Sequence, residues 1–338
     1  MNRGAFAMPN RAPRSRLPLL RGDLPFLEPG GRLTITSGAP ILTAASTTGQ
    51  STIIYAPNDH GRVPYREGDR WLYEDLEDEI SQALADTEFS PAAGGNSSLY
   101  DMWLWRHPRI MHNHRRHKWL CTRGPVWTDA TNRSAGTALA RFRGARVNSV
   151  DIVNGPKAGH GLYVGTIATD GSGTLNMMLR PNAAAGGSAN RLDVWNMFNR
   201  VEFAAVSRDS TDSLSYVTNT IRAALNSNSN RITLVKGLNE DVCNVSYSAM
   251  AISNSGAAQV VNGVGLDSTS AIADGSASGA ADLTTSARQG LLATFSGLAG
   301  LGQHFFQALE CSVNSSTWYG DNGDATRFQM ALRLMTRM

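Results

Sequence analysis

Apolar and polar positions alternate with a period of two along most of this chain, which is the pattern of half-buried β-strands. Arg32–Thr36 (RLTIT) alternates from its first residue, and Thr52–Tyr55 is a β-branched and aromatic run that stops at Pro57. Leu99–Trp105 (LYDMWLW) is strongly aromatic. Further strands are predicted at Leu162–Ile167, Leu175–Leu179, Val194–Phe198, Val201–Val206, Ser213–Val217, Arg231–Val235 and Cys243–Ala249. Gly, Asn, Asp and Ser separate these runs at intervals of about 10–15 residues, the rhythm of sandwiches and jelly rolls. Helical periodicity is scarce. Glu74–Ala85 (EDLEDEISQALA) reads as a short acidic helix and Ile221–Leu225 as a single turn, while Ser286–Ala293 fits either state. The predicted fold class is therefore mainly all-β, with β-sandwich or jelly-roll-like modules, few short helices and an extended N-terminal arm.

The arm is residues 1–31. It carries Pro9, Pro13, Pro18, Pro25 and Pro29 together with Arg3, Arg11, Arg14, Arg16 and Arg21. Proline removes backbone donors and favours extended chain, and so little apolar surface cannot form a core. A length of 338 residues corresponds to roughly two domains. The Gly, Asn and Pro residues between 140 and 158 place the division near 150, giving a first β module over 32–150 and a second over 151–338. The Gly/Ala/Ser-rich stretches 183–189 and 268–281 read as long turns inside the second module.

Composition sharpens this picture. Only 17% of residues are charged, which argues against coiled coils and solvated tails, and the net charge of +3 does not suit a polyanion binder. The cations are nearly all arginine, since Lys118, Lys157 and Lys236 are the only lysines; arginine's rigid fork suits protein interfaces. Cys121, Cys243 and Cys311 stand far apart and odd in number, so neither a disulfide scaffold nor a structural zinc site is expected. The uncharged run Gly290–Leu309 is too rich in glycine and polar residues to predict a membrane span.

Three segments hold candidate chemistry. The carboxylates Glu74, Asp75, Glu77, Asp78 and Glu79 would have to converge in a cleft to cleave a glycosidic bond; as a run they read as a solvated edge that discourages strand aggregation. Arg106–Lys118 (RHPRIMHNHRRHK) places His107, His112, His114 and His117 among Arg106, Arg109, Arg115, Arg116 and Lys118. Those cations oppose a bound metal ion, so the segment reads as a basic loop meeting an acidic partner, such as Glu67–Glu88 of a neighbouring subunit. Trp103, Trp105 and the pair Trp318–Tyr319 are the aromatics that would stack on a glycan or a base if exposed. Gly155–Gly165 lacks the residues of a phosphate loop and no GxSxG elbow occurs, so no catalytic residue, cofactor site or metal site is expected.

The strand phrases GGRLTITSGAP (30–40), STIIYAP (51–57), GPVWTDATNR (124–133) and GLYVGTIATDGSGT (161–174) resemble a family of tailed-bacteriophage virion proteins of the tail-fibre type. The likeness extends through LDVWNMFNRVEF (192–203), DSTDSLSYVTNTIRAALNSNSNRI (209–232) and VGLDSTSA (264–271) to GLGQHFFQALE (300–310) and TWYGDNG (317–323). The resemblance implies a location on the virion, other virion proteins (capsid, neck or tail) as partners, a homo-oligomer with threefold symmetry favoured, and contact with a host-surface glycan. It implies neither membrane insertion nor specific nucleic-acid binding. A capsid decoration or head-fibre protein and a carbohydrate-binding adhesin module are the alternatives. The Arg/Pro arm and the His/Arg segment lie outside the shared pattern and would set partner choice.

Overall fold

Strands dominate a computed structural model that describes residues 26–107, 118–285 and 287–338. Among the described residues the helices are two three-residue 3-10 turns, Ala135–Thr137 and Ala224–Asn226. Two large sheets, antiparallel except where Asn190–Leu192 runs parallel to Arg231–Lys236, face one another. One centres on Arg231–Lys236, Gly302–Ser312 and Ala258–Leu266; the other centres on Ala331–Arg337, Val242–Ser253 and Gln289–Leu298. A third sheet, built on Leu99–His107, Lys118–Val126 and Leu162–Ala168, packs beside them. The protein is thus an all-β, sandwich-like fold.

Alternation decides which faces meet. In Val242–Ser253, Cys243, Val245, Tyr247, Ala249 and Ala251 point inward and are buried, while their neighbours face out. Phe295 and Phe306 meet across the sandwich at 5.2 Å between ring centroids. Leu99–His107 and Leu162–Ala168 are buried along nearly their whole length, which is why they read as continuous apolar runs.

Three expectations change. Glu74–Ala85 is not helical: Arg70–Asp75 pairs with Arg62–Glu67, and Ile80–Ala83 pairs with Thr52–Pro57. Five acids within six residues repel one another on a helix, whereas Ile80 and Gln82 bury on one strand face and Ser81 and Ala83 stay exposed. The ambiguous Ser286–Ala293 belongs largely to the strand Gln289–Leu298.

The division near 150 does not separate sheets. Leu99–His107 pairs with Leu162–Ala168, and Ser46–Gln50 pairs with Leu175–Met178. The Gly/Asn/Pro stretch instead connects two neighbouring antiparallel strands, Ala145–Asn148 and Leu162–Ala168. The Asn148 side chain ties this loop together by donating to the carbonyls of Val150, Pro156 and Lys157. A tight loop and a linker draw on the same turn-forming residues, so composition alone does not tell them apart.

The body also begins earlier than residue 32. Phe26 packs against Trp71 and Phe198, at 5.4 and 6.0 Å between ring centroids, and the Leu27 N–H donates to the Tyr73 hydroxyl. The Asn199 side chain donates to the carbonyls of Pro29 and Gly31. Residues 26–31 therefore belong to the body. Arg3, Arg11, Arg14, Arg16 and Arg21 lie outside the described residues.

Candidate functional site

The turn between Arg70–Asp75 and Ile80–Ala83 forms one wall of a surface groove of about 520 Å³. Seven carboxylates line it, from Glu74 to Glu88, with Phe89, Lys118 and Trp119 on the opposite side. The far wall is the stem of the hairpin made by Leu99–His107 and Lys118–Val126. There the Arg106 guanidinium lies over the Tyr65 ring, 4.1 Å from its centroid, with Nη1 3.9 Å from the Glu74 carboxylate. Lys118 Nζ lies 5.5 Å from the centre of the Phe89 ring, and Tyr65 meets Trp119 edge-on.

The acidic stretch and the basic stem, expected on different subunits, are thus neighbours within one chain. Arg106 and Lys118 stand at the groove, whereas Arg109, Arg115, Arg116, His112, His114 and His117 lie outside the described residues. Several of the carboxylates already hold the fold together. Glu79 accepts from the Ser37 hydroxyl at 2.6 Å and the Gly38 N–H at 2.8 Å, closing the loop after the first strand. Asp86 accepts from Gln82 Nε2 and from the Glu88 N–H. Glu79 and Asp86 thus direct acceptor capacity at the protein's own loops. The groove is an acidic concavity with an aromatic wall, and its charge suits a cationic surface.

The aromatic candidates are placed differently from expectation. Trp103, Trp105 and Trp318 are all buried, Trp318 at 1% exposure, so none of them offers a ring to a sugar or base. In an alternating strand Trp318 takes the inward register, opposite Ala251 and Leu214. Tyr319 is half-buried, with the Arg288 guanidinium 4.6 Å from its ring centre.

Buried ionisable groups form a second kind of feature. Asp101 is fully buried and receives both Nε and Nη2 of Arg133; burial pushes its carboxyl above the usual aspartate range despite that partner. Glu310 accepts from Arg222 and from the Leu225 N–H, and burial pushes its pKa up to about 7. Lys236 donates to Thr336 Oγ1 at 2.6 Å and to the Arg337 carbonyl, with its pKa lowered by burial. The sequence carried a signal for all three: a charge at an inward position of an apolar run, as in LYDMWLW, FFQALE and RITLVK. Cys121, Cys243 and Cys311 are buried free thiols. Among the described residues no cluster of three or more His, Cys, Asp or Glu is arranged to hold a metal ion, and no helix is long and apolar enough to cross a membrane.

No known protein family matches the chain, and no curated protein matches it. Among solved structures, one similar chain is described as "Crystal structure of a Bacillus thuringiensis Cry1Da tryptic core variant", with a TM-score of 0.18 and 7% identity. The alignment covers 80% of this chain and 48% of that one, so this chain spans about half of the toxin core's length. A likeness at that level carries no inference about fold or activity.

Proposed function

We propose that the protein is a structural component of a tailed-bacteriophage particle, a tail fibre or tail-associated appendage that works by contact rather than by catalysis. The observation that carries this reading is how charge is distributed. Interior ionisable groups are committed to partners within the fold, as in Asp101–Arg133 and Glu310–Arg222. At the surface, seven carboxylates from Glu74 to Glu88 line one groove beside the basic stem, a pattern suited to recognising another protein. The resemblance of the strand phrases to virion proteins supplies the particle context for this reading. The Arg/Pro segment then serves as the tether, entering the body at Phe26, which is held by Trp71 and Phe198.

Proteomics of purified particles, with the labelled chain imaged on the virion, tests this reading. A fixed copy number on the particle is expected; absence from purified particles overturns the proposal. A deletion of residues 1–25 separates docking from folding, because Phe26 and its aromatic contacts remain. The truncated chain is expected to fold but not to join particles.

A further inference from the structure

The point where the Arg/Pro segment joins the body is fixed in place and in direction. Gly30 donates its N–H to the Arg62 carbonyl, beside the Asp75 end of the two-stranded ribbon Arg62–Glu67 and Arg70–Asp75. Leu27 reaches the Tyr73 hydroxyl and Phe26 packs on Trp71. The chain traced from Gly30 back to Phe26 therefore runs along the ribbon away from Asp75. The acidic groove lies at the end being left behind. Its wall residue Trp119 meets Tyr65, which shares one ribbon face with Leu72 and Glu74, whereas Trp71 and Tyr73 occupy the other face. Phe26 thus stands on the far face of the ribbon from the groove, and the chain direction there leads away from it.

The groove and the segment nevertheless match in charge. Among the described residues seven carboxylates and one cation, Lys118, line the groove. Asp75, Asp78 and Glu88 are exposed there, and Asp75 makes a long contact of 3.9 Å with Arg62 in which both side chains are more than half exposed. Residues 1–25 carry five arginines against one acid, Asp23. Phe89 and Trp119 give the groove aromatic surface on which guanidinium groups stack.

We propose that the Arg/Pro segment of one copy lies in the acidic groove of a second copy, so that the chain self-associates by exchanging arms. The segment's own groove requires the chain to reverse around the ribbon; a second copy's groove does not. Twenty-five residues, held extended by proline, span up to about 80 Å, enough to cross to a neighbour. Attraction between exposed charges is modest and is screened by salt, so the association is weak and falls as ionic strength rises. Residues 108–117, which carry Arg109, Arg115 and Arg116 and continue from the stem on the far wall, are the competing occupant. The inference does not rest on the virion reading. It is tested on the purified full chain, and either can fail without the other.

Sedimentation equilibrium of the full chain and two full-length variants is the experiment. R11E/R14E/R16E/R21E reverses the arm, and D75K/D78K/E88K reverses the groove at exposed positions. Wild type is expected to self-associate reversibly and to weaken about tenfold or more between about 0.05 and 0.5 M salt. Each variant alone, with an unchanged circular dichroism spectrum, is expected to be monomeric. Their equimolar mixture is expected to associate again, because the acidic arm of one fits the basic groove of the other. That restoration requires contact between copies. Three results would overturn the proposal. One is a wild-type chain that stays monomeric at low salt. The second is either variant associating like wild type, as it would if residues 108–117 filled the groove. The third is a mixture that remains monomeric, as it would if each arm lay in its own groove.

Discussion

Arg133 grips Asp101 with two parallel hydrogen bonds, Nε to Oδ2 at 2.7 Å and Nη2 to Oδ1 at 3.1 Å, where the aspartate side chain has no exposure. The same Nη2 reaches the Tyr163 hydroxyl and the Gly237 carbonyl, so one guanidinium joins residues from both sides of the expected division at 150. Thr166 donates its hydroxyl to the same carboxylate at 2.7 Å. Burying two charges costs free energy that their attraction and hydrogen bonds offset, and removing one partner strands the other. Asp101→Leu or Arg133→Met alone is therefore expected to cost about 3–5 kcal/mol, while the two together cost less than either single change. Urea denaturation of the three variants checks this; equal and additive losses would show that the pair is not coupled.

A charge in an apolar run was visible in the sequence, but its partner was not. Arg133 lies 32 positions away in a turn-rich loop, and no local pattern links it to Asp101. The strands were legible because burial on one face imposes alternation, as in Val242–Ser253. The acidic segment 74–85 was not, because its strands are short and their pairing with Arg62–Glu67 and Thr52–Pro57 is tertiary. Both parts of the groove were visible as an acidic run and a basic run. Their meeting depends on how the hairpin stem folds back, and neither run carries that information.

Glu310 makes stability fall as pH rises. Its folded pKa is pushed from 4.5 up to about 7, by burial first and by nearby Asp209 in addition, against the pull of the Leu225 N–H and Arg222. The folded state therefore holds a proton that the unfolded state has released between those values. Stability is full below about pH 4.5, declines through the interval and is flat above about 7, a total of about 3 kcal/mol. Asp193, pushed up to about 6 by burial, adds a decline with the same sign at lower pH. Glu310→Gln cannot titrate, and its single amide oxygen accepts from either Arg222 or the Leu225 N–H, which use different carboxylate oxygens in the native chain. Denaturant midpoints measured from pH 4 to 8 should lose the slope between about 6 and 7 and become shallower between about 4.5 and 6, where Asp193 still titrates. An unchanged profile would show that Glu310 binds its proton equally in the folded and unfolded states.

Trp318 is a core residue. Its Cβ sits in the inward row between Ala251 and Leu214, and the indole is 1% exposed. Trp318→Ala is expected to cost about 3–5 kcal/mol, the range for emptying an aromatic site, and Trp318→Phe clearly less. Tyr319→Ala removes a half-buried ring and its Arg288 contact, worth about 1 kcal/mol at an exposed site. Guanidinium melts of the three variants distinguish these cases. A Trp318→Ala protein that unfolds like wild type would return the indole to the surface.

Gly237 is required by what lies against its α-carbon. Its carbonyl accepts from Arg133 Nη2 at 2.7 Å, and a Cβ at this position would collide with the Tyr163 hydroxyl, the Trp195 ring and Thr166 Oγ1. These are not the flexible ends of long side chains. Tyr163 and Thr166 hydrogen-bond to each other at 2.6 Å, Tyr163 stacks on Trp195 at 6.3 Å between centroids, and all three are fully buried. The collision cannot be relieved by a rotamer change at the surface. It must displace either the strand end or the network that satisfies Asp101. Overpacking a dense core costs about 1–3 kcal/mol, and loosening the Asp101–Arg133 pair adds to that. Gly237→Ala is therefore expected to destabilise more than Gly290→Ala, a position with nothing near its α-carbon. In the Asp101→Leu/Arg133→Met background, where no buried charge remains to be stranded, the Gly237→Ala penalty should shrink toward the overpacking cost alone. A double-mutant cycle in urea measures that difference; a penalty that is the same in both backgrounds would show that the glycine acts through packing and not through the buried pair.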